Sequence, residues 1–191
     1  MSFLAAAGSP AEAGRAVAWP AEHPGLACTV LFLRRASRQE VPCAHYVQAL
    51  RGISVVASVT IAAEVGDLGR FESARQFMGW LGLVPGERST GEAVRRLGIT
   101  KAGNGRLRRV LVEGAWTYRH PPRTGKKKHY VREGQPPAVR DIAWKAQTRL
   151  CARYRTLAAR GKRLTVAVTA IARELAGFVW AIGREVEVKL V

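Results

Sequence analysis

After Val47, apolar residues recur at three- and four-residue intervals through most of the chain, a pattern that predicts a mainly α-helical domain. Behind a glycine turn at Arg51-Gly52, residues Ser54 to Val65 form the first candidate helix. Its β-branched Val55, Val56, Val59, Thr60 and Ile61 favour a strand, but Ala57, Ala62, Ala63 and Glu64 continue a helix, and helix is the expectation. Ser73 is a suitable N-cap for a short helix reaching about Leu81. Asn104 is another, for a helix whose Leu107, Val110, Leu111, Ala115 and Tyr118 make an apolar stripe. Pro136 and Pro137 open a longer helix, since proline is tolerated in a first turn, and Val139, Ile142, Ala146, Leu150, Tyr154 and Leu157 keep its spacing until Gly161. From Leu164 to Ile182 the chain is apolar nearly all round, which predicts the central helix of a small bundle.

Between these helices the texture differs. Gly82, Gly86, Gly91, Gly98, Gly103 and Gly105 punctuate a basic segment that predicts an exposed loop or a small hairpin. His120 to Gln135 is a second, densely basic loop. Ahead of the periodic region, Pro10, Pro20, Pro24 and Pro42 interrupt a stretch with no sustained period. The expected organisation is a poorly ordered lead-in over 1–47, a helical domain over 48–183 and a tail over 184–191.

The formal net charge of +17 matters because of where it sits. From Arg88 to Arg163 there are 21 basic and 4 acidic residues, so the remainder of the chain is neutral and the whole surplus is contiguous. A polyanion is the natural partner of such a region. Cys28, Cys43 and Cys151 are too few and too scattered for a disulfide framework or a zinc site. The N-terminus lacks a signal peptide's basic and apolar regions, and Arg173 and Glu174 interrupt the most apolar late stretch. A cytoplasmic protein with no membrane partner and no cofactor of its own is the expectation.

Three segments carry candidate chemistry. In Leu50-Arg51-Gly52-Ile53-Ser54, followed by a helix, the form is that of a helix-hairpin-helix, in which Gly52 and Ser54 present backbone N–H groups and a helix N-terminus to one phosphate. An ordinary packing corner would have the same sequence. In Gly98 to Arg109, small glycines approach a helix start laden with Lys101, Asn104, Arg106, Arg108 and Arg109. A nucleotide P-loop is excluded, because Asn104 stands where lysine is required. Contact with polymer phosphates remains, alongside a merely solvated basic face; the arginines oppose the helix dipole, a conflict that an anionic ligand would resolve. Trp116, Tyr118, His120, Tyr130 and Trp144 interleave with the cations and could stack on bases, although Trp116 and Trp144 at helical spacing also suit a core. Third, Ser89 lies in a glycine-rich segment beside Arg88, with Arg95 and Arg96 close in sequence; it is either a turn residue or a nucleophile toward a phosphodiester whose charge the arginines stabilise.

The run GLVPGERSTGEAVRRLGITKAGNGRLRRVLVEGAWTYR, from Gly82 to Arg119, with RGISVVASVTIAAEVGDLGRFESARQFMGWL before it, resembles the C-terminal domain of the insertion-sequence one-ten family of transposases. The resemblance covers roughly Leu50 to Gly183, and Gly-Leu-x-Pro, Ser-Thr-Gly and Ile-Thr-Lys-x-Gly-Asn in that order are its specific motifs. It implies a serine-type, bridge-RNA-guided recombinase in which an N-terminal resolvase-like domain holds Mg²⁺ with four acidic ligands and the C-terminal domain supplies the serine, here Ser89, with Thr90 beside it. Before Leu50 the acids are Glu12, Glu22 and Glu40 without a resolvase-like pattern, so the chain is expected to be truncated at its N-terminus and inactive alone. The implied function is DNA binding and DNA transposition, with DNA and a guide RNA as partners and self-association or pairing with a full-length transposase. A structural RNA-binding protein or a regulatory fragment of such a transposase is the alternative.

Overall fold

The computed structural model describes residues 42–90, 93–123, 125 and 133–190, with the backbone alone at 42–43, 88–90, 93–96 and 187–190. Six α-helices and one two-stranded hairpin make up the described part: α1 Pro42–Val47, α2 Val55–Val65, α3 Ala74–Trp80, β1 Pro85–Thr90, β2 Ala93–Ile99, α4 Gly105–Ala115 with a 3₁₀ turn Trp116–Arg119, α5 Pro137–Ala159 and α6 Leu164–Leu190. The mainly α expectation holds, and the glycine-rich segment takes its hairpin form. Most of the lead-in lies outside the described residues, but helix already begins at Pro42, and Ala44 and Val47 are buried in the domain. At the other end, α6 runs on to Leu190, so helix continues through residues expected to be a tail.

Local chemistry starts these helices where the sequence says. The side chains of Ser54, Ser73 and Asn104 accept the N–H of Ala57, Gln76 and Leu107, respectively, each satisfying a donor that the first turn leaves free. α5 begins at Pro137, where a missing N–H costs nothing.

α6 is the axis of the bundle: α1, α3, α4 and α5 all pack against it. It buries Ala167, Val168, Ile171, Ala172, Leu175, Ala176, Val179 and Ile182, and each large aliphatic among them contributes about 1.5–3 kcal/mol by leaving water. By length and composition Leu164–Val186 could cross a membrane, with a mean hydropathy of 1.5, and half of it is covered by the other helices. α5 packs on it and buries Val139, Ala143, Ala146, Leu150 and Tyr154 in the common core, with Ile142 and Leu157 partly buried against that core. Phe71, Phe77 and Trp80 form an aromatic cluster, where Trp180 Nε1 donates to the Phe71 carbonyl at 3.0 Å and so pins α6 to the loop before α3.

The hairpin is antiparallel, with Glu87 opposite Arg96, Arg88 opposite Arg95, Ser89 opposite Val94 and Thr90 opposite Ala93; an irregularity between Pro85 and Glu87 separates this ladder from the pairing of Pro85 with Ile99. Its base is tied down by Thr100 N–H to Val84 and Lys101 N–H to Gly82. Gly103, at φ 82°, lies so close to the Trp80 carbonyl that a Cβ there would collide with it, which explains glycine just before α4.

Candidate nucleic-acid interface

The start of α4 was expected to offer its cations to a ligand, and the chain uses most of them itself. Glu64, near the end of α2, accepts from Asn104 Nδ2 at 2.8 Å and from Arg106 at 3.3 Å. Asn104 thus caps α4 with its oxygen and holds Glu64 with its nitrogen. Arg108 donates to the carbonyls of Leu81 at 2.9 Å and Ala102 at 3.3 Å, tying α4 to the end of α3 and to the segment after β2. Arg109 pairs with Glu113 one turn on, at 2.9 Å, an exposed contact worth about 0.3–0.5 kcal/mol. The conflict between these arginines and the helix dipole is therefore met within the molecule: Glu64 brings negative charge to the N-terminal end of α4, where the dipole favours it. Lys101 is exposed, with a backbone φ of 57°.

Gly52 and Ser54 lie elsewhere, on the middle and far end of α4 rather than beside its start. A Cβ on Gly52, at φ 84°, would collide with the Gly114 carbonyl, and one on Gly114 would come within 3.0 Å of the Gly52 oxygen. The two glycines let the α1–α2 turn rest backbone to backbone on α4, so packing alone accounts for Gly52. The Ser54 hydroxyl caps α2 through Ala57. A cleft of about 260 Å³ opens there between Gly52, Ser54, Thr60 and Glu113. The Glu113 carboxylate in its wall is the one paired with Arg109.

Ser89, Arg88, Arg95 and Arg96 come together near the tip of the hairpin. Ser89 neighbours the Arg88–Arg95 pair in the ladder, and Arg96 is one register step further along. At the hairpin's base, Leu97, Ile99, Val166 and Thr169 line an apolar groove of about 560 Å³ against the first turns of α6.

Among the interleaved aromatics, Tyr118 is fully buried, Trp116 is half-buried against the core and His120 is exposed. Tyr130 lies outside the described residues. Trp144 is 46% exposed on α5, so the core reading of this residue is corrected. Among the described residues no group of three or more His, Cys, Asp or Glu side chains could hold a metal ion. Cys151 is buried, and burial raises its thiol pKa against the opposing effect of Arg51 and Arg155.

Sequence reasoning missed two features. Glu174 of α6 holds Arg149 at 3.1 Å and Arg153 at 3.3 Å, bracing α5 on α6. By contrast, Arg140, Lys145, Arg155, Arg160, Lys162 and Arg163 are all exposed and have no acidic partner among the described residues. Their helical spacing was visible in the sequence, but their freedom from acids was not.

Residues 44–130 match the family model described as Transposase IS116/IS110/IS902 family. Over 154 residues the chain is 65% identical to y4qE of Sinorhizobium fredii, which is named as a transposase; the match covers 81% of this chain and 39% of that protein. It is 39% identical over 69 residues to the transposase for insertion sequence element IS1111A of Coxiella burnetii, covering 36% of this chain and 19% of the relative. The transposase for insertion sequence element IS1328 of Yersinia enterocolitica is 39% identical over 67 residues, 35% of this chain and 20% of its own length. The chain thus spans about two fifths or less of the length of these relatives. The matched region holds most of α1, all of α2 to α4 and the hairpin with its Ser89 and arginines, so over these elements the chain is similar to the IS116/IS110/IS902 family of transposases.

Proposed function

We propose that this chain acts in DNA transposition as the DNA-holding part of a transposase, with Ser89 as the nucleophile on a phosphodiester. The observation that carries the reading is the ladder at the hairpin tip, where Arg88 opposes Arg95 directly beside Ser89. Arginines that flank the serine in the ladder would stabilise the extra charge that builds on phosphorus during attack. In the step itself the Ser89 oxygen bonds to phosphorus and a strand oxygen leaves. The proton lost by the serine ends on that departing oxygen, and the strand remains esterified to the protein.

The described residues offer no carboxylate cluster for Mg²⁺, so the reading assigns metal binding to an acidic domain acting with this one. DNA contact by Arg88, Arg95, Arg96 and Lys101 belongs to the same proposal. So does a guide RNA held by the assembled protein, as does self-association or pairing with a longer transposase.

The test is incubation of the chain with element-end DNA and Mg²⁺, with and without a separately supplied acidic resolvase-like domain, for the wild type and Ser89→Ala. A covalent protein–DNA adduct that needs both Ser89 and the added domain is the expected result. Adduct formation by Ser89→Ala at the wild-type level would remove Ser89 from the chemistry. Salt-sensitive DNA binding without any adduct would leave only a DNA-holding role.

A further inference from the structure

We infer that the turn between α5 and α6 is a second phosphate-binding surface, where Arg160, Lys162 and Arg163 hold the backbone of a DNA duplex that extends from the hairpin. The inference rests on the DNA-holding reading above for its class of ligand, but on other residues and another element.

Charge sets this turn apart. From Ile142 to Arg173 the chain has eight basic residues and no aspartate or glutamate. Glu174, the next acid, is taken up by Arg149 at 3.1 Å and Arg153 at 3.3 Å. At 100° per residue Arg160 falls within about 20° of each of these two on the surface of α5, two turns beyond Arg153, and Glu174 does not pair with it. Arg160, Lys162 and Arg163 are all exposed and have no acidic partner among the described residues. Three cations within four residues and no carboxylate make a local field that a polyanion complements.

The backbone beneath these side chains is held. Arg160 N–H donates to the Thr156 carbonyl at 3.2 Å, Gly161 N–H to Ala158 at 3.0 Å and Lys162 N–H to Leu157 at 3.2 Å, while the Arg163 carbonyl accepts Ala167 N–H at 3.0 Å. Gly161, at φ 69°, supplies the left-handed step that ends α5. Binding therefore has only side chains to order, which lowers its entropic cost. The turn also stands beside the element that carries Ser89: Thr165 and Val166, in the first turn of α6, share the apolar groove with Leu97 and Ile99 at the base of the hairpin. Along β2, Leu97 is three residues from Val94, the ladder partner of Ser89, or about 10 Å at about 3.4 Å per residue. Phosphates spaced about 3.4 Å along each strand put both elements within reach of one short duplex. No aromatic residue occurs from Leu157 to Thr169, so the turn gives a base nothing to stack on and contacts backbone charge rather than sequence.

The experiment measures binding of the full chain to a fluorescent DNA duplex of about 20 base pairs, and to an RNA duplex of the same length, across a salt series. The variants are the triple Arg160→Ser/Lys162→Ser/Arg163→Ser and, as a control on net charge, Arg106→Ser/Arg109→Ser, each checked by thermal melting. The double Lys162→Ser/Arg163→Ser carries the same test should the triple melt early. The turn variants are expected to lower the slope of log K against log salt on DNA by about 0.9 per charge removed. The α4 control, whose arginines already meet Glu64 and Glu113, should lose clearly less per charge. A loss on DNA alone or on both duplexes supports the inference. A wild-type slope on DNA in the turn variants would overturn it, whatever happens on RNA, and so would an equal loss per charge in the control, since net charge alone would then account for binding. Covalent adducts are scored separately at saturating DNA. Ser89-dependent adducts with an unchanged slope would mean that the turn fails and the nucleophile stands; a flattened slope with no adduct in the wild type would mean the reverse.

Discussion

The cations of α4 and those of α5 belong to one domain and one basic region, yet their surroundings differ. At the start of α4, Arg106 is held by Glu64, Arg108 by two backbone carbonyls and Arg109 by Glu113. On α5 only the two arginines nearest α6 have an acidic partner among the described residues, and Arg140, Lys145 and Arg155 face water without one. A count of positive residues would rank the α4 cluster first, since its arginines are denser. Pairing reverses the ranking: a cation already neutralised by a carboxylate has less to gain from a phosphate than one whose field is uncompensated.

Four substitutions would break or sharpen this contrast. The largest effect is expected from Trp180→Ala, which removes a half-buried indole and its bond to Phe71 from the helix on which both surfaces stand; a loss of about 3 kcal/mol should lower the melting temperature by several degrees. An unaltered melting curve would mean that α6 is not held there.

Arg108→Ala is next. Leaving the Leu81 and Ala102 carbonyls without their charged donor should cost about 2 kcal/mol in denaturant unfolding, with little change in the salt slope of DNA binding. A stable variant with a flattened slope would return Arg108 to the phosphate contacts. The same reasoning makes joint reversal of Arg108 and Arg109 a poor probe of binding, since it unties α4 from α3.

Glu64→Gln should cost about 1 kcal/mol and, by freeing Arg106, tighten polyanion binding a few-fold at low salt. Weaker binding would show that Glu64 is needed to shape the contact surface. The smallest effect is expected from Lys145→Ala, which should leave stability within about 0.5 kcal/mol of the wild type. A larger shift in its melting profile would reveal a partner for Lys145 and count against α5 as an open face.

Much of the architecture was legible because its signals are local. Ser54, Ser73 and Asn104 cap the helices that follow them, and Pro137 stands in the first turn of α5, because each acts on N–H groups within three residues of itself. The hairpin was harder to read, since frequent glycines blur the period-two alternation by which strands are recognised. Trp144 shows the limit of helical spacing: it follows Ala143 by 100°, and that one step separates a fully buried position from an exposed one. Gly52 was legible as a turn but not as a seat for Gly114, which lies 62 residues further along the chain.

By itself the sequence determined the helical class, the caps, the central apolar helix and the confinement of positive charge to one stretch, all of which depend on residues near one another along the chain. Which of those charges remain open to a ligand was decided only by the tertiary structure. Glu64 lies 42 residues from Arg106, and Glu174 lies 25 from Arg149. Coulomb interactions and hydrogen bonds depend on distance in space, so the fold selects the cations that it neutralises and those that it leaves exposed.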